Sequence, residues 1–172
     1  NYEYSFFGKY GEHEWGSMLL SKYPIRAELI ELSHRTSTKA TINLRNEKLN
    51  LIIFHPSPEL TEDEKIEAIR PLMKHLKELC ILTGDFNAIS DEDYYDRNLL
   101  LKGFKIFKSD TAEIYVDRLL KRKLIPFIKS HKLRDAFDMS SRTFTASTDL
   151  VSKDKSSATR IIRPLPVFPI PI

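Results

Sequence analysis

An apolar segment that ends in an acid and an amide constrains this chain more than any other feature. Residues Cys80 to Thr83 have the composition of a buried strand, and Gly84 follows them. Asp85 and Asn87 come next, two positions apart. Because strand side chains alternate between faces, we expect these two side chains to lie on the same side at a sheet edge. A carboxylate and a carboxamide held together suit a phosphoester site, where one orients or deprotonates water and the other donates to phosphate oxygen.

A second strand-like segment places a histidine upstream of this pair. Residues Leu49 to Phe54 are largely apolar, and His55 follows at their end. One helix is predicted between the two strands, from Thr61 to Leu79, and Thr61 with Glu64 forms a capping box at its start. The order strand, helix, strand predicts an α/β domain.

The remaining elements follow from the same patterns. Pro71 is predicted to kink or divide the first helix. We expect further strands over Leu19 to Ile25, Ala27 to Ser33 and Lys39 to Leu44, and the last of these forms a hairpin with Leu49 to Phe54. A second helix is expected from Ser90 to about Leu101. A third is expected from Asp117 to Lys132, interrupted or restarted at Pro126.

At these residues the chain resembles the endonuclease/exonuclease/phosphatase superfamily, whose fold is deoxyribonuclease-I-like. The family pattern is a strand ending in His, a helix, and a strand ending in Gly-Asp-Phe-Asn. Two further segments resemble family motifs, Gly16 to Ile25 and Leu133 to Thr145, so that the resemblance covers about residues 16 to 161. It implies an α/β fold of two packed, mostly antiparallel sheets flanked by helices, a four-layer sandwich.

The resemblance also implies a function. It implies a divalent-metal-dependent phosphodiesterase or phosphatase that hydrolyses a phosphoester by in-line attack of water, with Mg²⁺ (or Mn²⁺) as the cofactor. Asp85 would orient or deprotonate the water and contact the metal, Asn87 would stabilise the charged transition state, and His55 would contact phosphate or protonate the leaving oxygen. The substrate candidates are DNA, RNA, a phosphoinositide, a sphingolipid and a small nucleotide, so nucleic acid is one candidate partner.

The chain departs from the family pattern at both ends. Ile162 stands where the family has an Asp, no Ser-Asp-His occurs, and before Gly16 there is no convincing strand with the family's Asn and metal-binding Glu. We therefore expect a fold that is incomplete at both ends and impaired hydrolysis. Two explanations stay open: a truncated or frame-disrupted version of a longer enzyme, which the composition change after Ile161 favours, and a degenerate homologue. The latter would be a catalytically silent binding or scaffold protein on the same fold.

The last ten residues form a proline-rich segment. Four prolines occur between Pro164 and Ile172, and proline cannot donate the N–H that a central strand needs. We expect a domain over residues 1–162 and an extended or disordered tail over 163–172. The family's missing strands would leave an exposed sheet edge, which favours self-association.

Composition narrows the class of protein. At 172 residues the chain has the length of one domain, and no run approaches the ~20 apolar residues of a membrane span. The net charge of +3 is compatible with a polyanionic substrate. The single cysteine, Cys80, allows no intrachain disulfide, which favours a reducing, cytoplasmic location.

Each candidate also has a purely structural interpretation. Asp and Asn readily form Asx turns, and a lone histidine at a strand end is usually structural. The acids of Asp91 to Asp96 suit a helix N-terminus as well as a cation. The basic residues between Arg118 and Lys123 suit a solvated helix face as well as a phosphate backbone. The Gly84 that precedes Asp85 and the upstream His55 favour the functional interpretation.

Overall fold

The computed structural model describes residues 1–12, 14–44, 47–76, 79–92, 95–106, 110–135 and 160–164. The strands are β1 (Tyr4–Lys9), β2 (Gly16–Ser21), β3 (Ile25–Glu31), β4 (Thr36–Leu44), β5 (Glu47–Ile53), β6 (Cys80–Gly84), β7 (Leu133–Asp135) and β8 (Arg160–Pro164). The helices are α1 (Glu62–Ile69), a 3-10 helix (Arg70–His75), α2 (Arg97–Lys105), α3 (Ala112–Leu119) and α4 (Leu124–Ser130).

The described strands form two sheets, as predicted. β1 and β2 form an antiparallel pair, and the other six strands form one sheet in the order β3-β4-β5-β6-β8-β7. β5 and β6 pair in parallel, whereas the other pairings of the described strands are antiparallel. A parallel connection needs a crossover, which α1 and the 3-10 helix supply. The C-terminal ends of β5 and β6 therefore meet at one edge, where His55 and Asp85 follow.

The core lies between the large sheet and the helices. α1 and the 3-10 helix bury their apolar face against β5 and β6, and α4 closes the same cluster. The fully buried members include Ile52, Phe54, Ile69, Leu72, Cys80, Leu82, Leu124, Ile125 and Ile128. The buried position of Cys80 confirms the prediction of a buried strand there.

The β4–β5 hairpin is confirmed. Leu44 pairs with Glu47, which leaves two residues for the connection. β4 begins at Thr36, earlier than predicted, and the hydroxyl of Ser37 donates to the Ile53 carbonyl at 2.7 Å.

The first helix has the predicted start but not the predicted end. Thr61 is the N-cap, its hydroxyl accepts from the Glu64 N–H, and the Glu64 side chain accepts from the Thr61 N–H. The α-helix stops at Ile69 and continues as a 3-10 helix that contains Pro71, so the division at this proline is confirmed. The predicted extension to Leu79 is wrong: the Leu79 carbonyl accepts from the Asn50 N–H and already joins the sheet.

The second and third helices begin at other residues than predicted. α2 begins at Arg97, because Asp96 is the N-cap and accepts the Leu99 N–H at 2.8 Å. The Ser90 hydroxyl instead accepts the Glu92 N–H, a local turn that competes with a helix start. The third helical region is two helices, α3 and α4, and the break precedes Pro126, which lies in the first turn of α4, where proline is tolerated.

Two expectations about the ends of the chain are corrected. A strand, β1, lies before Gly16 and pairs along its whole length with β2. The expectation that the tail stays out of the sheet is wrong for Arg163 and Pro164, because β8 pairs with β7 through Pro164. Proline is tolerated there because it is the last residue of the strand. Residues 165–172 lie outside the described residues, as does the motif from Ala136 to Thr145.

The outer strands of the six-stranded sheet are β3 and β7. Self-association through such an edge stays a prediction. Among the described residues, no helix is long and apolar enough to cross a membrane.

Gly84 allows the close approach of β5 and β6. Its φ is +140°, and a Cβ on it would lie 2.1 Å from the Phe54 carbonyl oxygen. We predict that Gly84→Ala lowers the free energy of unfolding by at least about 2 kcal/mol, measured by urea denaturation.

Gly11→Ala is the matched control for that substitution. Gly11 also has a positive φ, +62°, but a Cβ there would meet no atom within 4 Å. Gly11→Ala is expected to lower the free energy of unfolding by about 1 kcal/mol, because of the backbone conformation alone. Equal losses in the two variants would contradict the close-approach argument.

Candidate functional site

Asp85 and Asn87 meet through a turn rather than through strand alternation. β6 ends at Gly84, and Asn87 adopts a left-handed conformation with φ +46°. The Asn87 N–H donates to Asp85 Oδ1 at 3.0 Å, which is the Asx turn considered as the structural alternative. The two residues are therefore adjacent, as expected, but the predicted reason was wrong because the strand does not reach them.

Asn87 is fixed by three hydrogen bonds. Besides its N–H bond to Asp85, its side-chain Nδ2 donates to the Pro56 carbonyl at 3.0 Å. Its own carbonyl accepts a hydrogen bond from the ammonium group of Lys65. Because Pro56 directly follows His55, Asn87 ties the segment after β5 to the segment after β6.

His55 lies in a half-buried aromatic environment. Its ring contacts Tyr10 edge-on at a centroid distance of 5.7 Å and Trp15 at 6.3 Å. Burial lowers the pKa of His55 below 6.5, Arg35 lowers it further, and Asp85 partly offsets both effects. The lowered pKa favours the neutral imidazole, which suits a phosphate contact better than the protonated leaving-group acid.

The lowered pKa of His55 also links stability to pH. The unfolded chain binds this proton more readily than the folded chain, so stability falls as the pH drops from 6.5 through the lower pKa of the folded state.

Arg35 belongs to this cluster, although no sequence pattern pointed to it. It lies between β3 and β4, and its Nη1 donates to the His55 carbonyl at 3.1 Å. Its guanidinium lies 4.5 Å from the ring centre of Trp15 and 5.6 Å from that of Tyr10. Burial lowers the pKa of Arg35, while Tyr10 and Asp85 raise it. The group therefore places a partly desolvated positive charge beside His55.

A cavity of about 300 Å³ lies beside His55 and Asp85. Asp85 and His55 both line it, and the Tyr10 hydroxyl lies 2.6 Å from the Ser17 hydroxyl at its wall. The lining residues are Tyr10, Ser17, Met18, Ile53, His55, Thr83, Gly84 and Asp85. An acid, an imidazole and hydroxyl groups around a space of this size are a suitable set of contacts for a small polar ligand.

Tyr115 on α3 is electrostatically coupled to the same carboxylate. Burial raises the pKa of Tyr115 to about 12, and the negative charges of Asp85 and Glu59 contribute to that shift. The phenol is therefore protonated throughout the physiological pH range. No sequence pattern pointed to this tyrosine.

Three of the other polar candidates have structural partners, whereas the buried Nε of Arg122, in the same basic run, has no hydrogen-bond partner among the described residues. Arg118 donates to the Glu59 carbonyl at 3.0 Å, and Lys123 pairs with Asp63 at 2.8 Å. Asp96 caps α2. These contacts favour the structural interpretation of the basic and acidic runs.

The cavity offers few ligands for a metal ion among the described residues. Within the part of the chain that the structure describes, no group of three or more His, Cys, Asp or Glu side chains could hold one. Of the described residues that line the cavity, Asp85 is the one carboxylate. Mg²⁺ often binds through one or two carboxylates together with water and substrate phosphate. Asp85 fits that mode and does not form a metal site built by protein side chains alone.

We predict opposite shifts in the His55 pKa from two neighbouring substitutions. Asp85→Asn removes a negative charge and should lower the pKa of His55, whereas Arg35→Gln removes a positive charge and should raise it. NMR titration of the His55 ring protons measures both.

Glu67→Gln is the control for these titrations. Glu67 is exposed and pairs with Arg70 at 2.8 Å, so its removal should leave the His55 titration unchanged. Shifts of the same sign for Asp85→Asn and Arg35→Gln would contradict the described cluster.

Comparison with known proteins identifies the fold. No model of a known protein family and no curated protein matches the chain. Among solved structures, the endonuclease domain of TRAS1, a telomere-specific non-LTR retrotransposon, matches with a TM-score of 0.52 and 13% identity, over 94% of this chain and 66% of that one. D. rerio TDP2 complexed with single strand DNA product matches with a TM-score of 0.52 and 14% identity, over 93% and 62%. Truncated Caenorhabditis elegans TDP2 matches with a TM-score of 0.52 and 13% identity, over 95% of this chain and 62% of that one.

These structures have the endonuclease/exonuclease/phosphatase fold, and this chain has the same fold, as predicted. The chain spans between 62% and 66% of their lengths.

Proposed function

We propose that the cavity between His55 and Asp85 binds a phosphoester and that the chain hydrolyses it by in-line attack of water. The observation that supports the proposal is that the Asp85 carboxylate and the His55 imidazole line one cavity of about 300 Å³. Both follow the C-terminal ends of neighbouring parallel strands. An acid that can orient water, next to a group that can contact phosphate, is the minimum that such a reaction needs.

Three side chains have distinct roles in this proposal. Asp85 orients or deprotonates the attacking water. Asn87 is not among the residues that line the cavity, and one of its amide hydrogens binds the Pro56 carbonyl. In this proposal its second amide hydrogen stabilises charge on a phosphate oxygen that extends beyond that lining. The lowered pKa of His55 favours the neutral ring before a ligand binds, and a bound phosphate would favour its protonation and so a charged contact.

Mg²⁺ or Mn²⁺ is the proposed cofactor, with Asp85 as its protein ligand. When bound there, the ion would stabilise negative charge on the phosphoryl oxygens. Among the residues that the structure describes, Asp85 is the single carboxylate in the lining of the cavity, so binding of the ion would depend on the phosphate of the substrate. We therefore propose that hydrolysis is slow in this chain.

A nucleic acid phosphodiester is the first substrate class to test. The similarity in fold to D. rerio TDP2, whose structure contains a single strand DNA product, supports this choice. The net charge of +3 is compatible with a polyanion.

A catalytically silent binding protein is the second candidate. The hydrogen bonds of Asp85 and Asn87 favour this candidate. The Asp85 carboxylate accepts a hydrogen bond from the Asn87 backbone N–H, and the Asn87 side-chain amide donates to the Pro56 carbonyl. Both groups thus already stabilise the turn, which is a sufficient structural reason for their presence. The candidates differ in turnover, not in binding.

We predict that p-nitrophenyl phosphate binds in the cavity and that His55→Gln weakens binding about tenfold or more. The glutamine amide cannot take up the proton that a bound anion favours on the imidazole, so the hydrogen bond from a cation is lost. Trp15 is the single tryptophan of the chain, and it neighbours His55, so its fluorescence reports binding. His131→Gln, at the exposed end of α4, is the matched control and should bind as the wild type does.

Turnover separates the two candidates. Slow Mg²⁺-stimulated hydrolysis of bis-p-nitrophenyl phosphate or of a single-stranded oligonucleotide, lost in Asp85→Asn, is expected for the hydrolase. Binding with no turnover above that of Asp85→Asn would establish the silent binder. No binding by the wild type would contradict both.

A further inference from the structure

α1 contains a buried ion pair that the proposed reaction does not use. Glu62 is fully buried and Lys65 is 2% exposed, and Lys65 Nζ lies 2.9 Å from Glu62 Oε1. Removing two charges from water is costly, and apolar residues of similar volume often stabilise a protein equally well. Stability alone therefore gives no sufficient reason for this pair.

Lys65 extends from the helix to the candidate site. Its ammonium group donates to the Asn87 carbonyl as well as to Glu62. Asn87 is the residue with φ +46° whose N–H binds the Asp85 carboxylate. A non-glycine residue in this conformation is held there by its surroundings, and the Lys65 bond is one of three that hold it.

Glu62 is itself fixed on the other side. Its second oxygen, Oε2, accepts the backbone N–H groups of Lys123 and Leu124, each at 3.0 Å, at the start of α4. The carboxylate therefore has partners on both oxygens, and the ammonium group is held toward Asn87. The pair links α4, α1 and the turn after β6.

We propose that Lys65 is a positioning residue for the phosphoester cavity. Its ammonium group fixes the Asn87 carbonyl, the Asn87 N–H in turn orients the Asp85 carboxylate, and Glu62 holds the ammonium group in place. The effect of Lys65 on ligand binding rests on the proposed function, whereas its effect on the turn at Asn87 is independent of that function.

The test compares two paired substitutions. Lys65→Met alone would leave Glu62 buried without its cation, so the first variant combines Glu62→Gln with Lys65→Met and retains an acceptor for the N–H groups of α4. The second combines Asp63→Asn with Lys123→Met, which removes an exposed pair that includes a residue of the same helix. Both variants lose one charge of each sign.

Two measurements are made on each variant and on the wild type. Hydrogen exchange at the backbone N–H of Asn87 reports the stability of the turn without any ligand. Trp15 fluorescence reports the affinity for p-nitrophenyl phosphate. The variant at Glu62 and Lys65 is expected to keep its thermal transition, while protection of the Asn87 amide and the affinity each fall about tenfold. The exposed-pair variant should match the wild type in both.

The outcomes separate the two proposals. Unchanged Asn87 protection in the variant at Glu62 and Lys65 overturns the positioning role, whatever the wild type binds. If the variant loses Asn87 protection but the wild type binds no p-nitrophenyl phosphate, the role of Lys65 in the turn is supported and the proposed function is contradicted. If that variant does not fold, NMR of the wild type decides: slow exchange of the Lys65 ammonium protons supports the role, and rapid exchange overturns it.

Discussion

The parallel pairing of β5 with β6 is the constraint on which the rest of this structure depends. Ile53 pairs with Thr83, and the Phe54 N–H continues the ladder to the Thr83 carbonyl at 2.8 Å. His55 lies two positions after Ile53, and Asp85 lies two positions after Thr83. Both residues therefore lie at the same edge of the sheet. The same pairing requires the α1 crossover and the approach that Gly84 allows.

The site at this edge is organised by opposing charges in a partly desolvated space. Asp85 and His55 line the same cavity, and Arg35 donates to the His55 carbonyl while its guanidinium lies over the Trp15 ring. These charges act in opposite directions on the His55 pKa, and burial decides the result. A bound phosphate would add the negative charge that this arrangement of Arg35 and His55 is suited to compensate.

Local sequence predicted the parts of the fold that neighbouring residues determine. The capping box of Thr61 and Glu64, the hairpin and the strand before Asp85 all depend on residues a few positions apart. Arg35 and Lys65 could not be found in this way, since their partners His55 and Asn87 lie 20 and 22 positions away and only the folded sheet brings them together. The start of α2 was predicted wrongly because Ser90 and Asp96 are both suitable N-caps, and Asp96 is the one that caps the helix. The Asx turn at Asp85 was considered only as an alternative because strand alternation was extended past Gly84.

A crystal structure with tungstate, a heavy phosphate analogue, tests the central claim most directly. If the cavity between His55 and Asp85 is a phosphoester site, an anomalous difference peak will lie there, within hydrogen-bond distance of the His55 ring, and it will be lost in crystals of His55→Gln. An empty cavity at millimolar tungstate, in crystals whose cavity is open to solvent, would contradict the account.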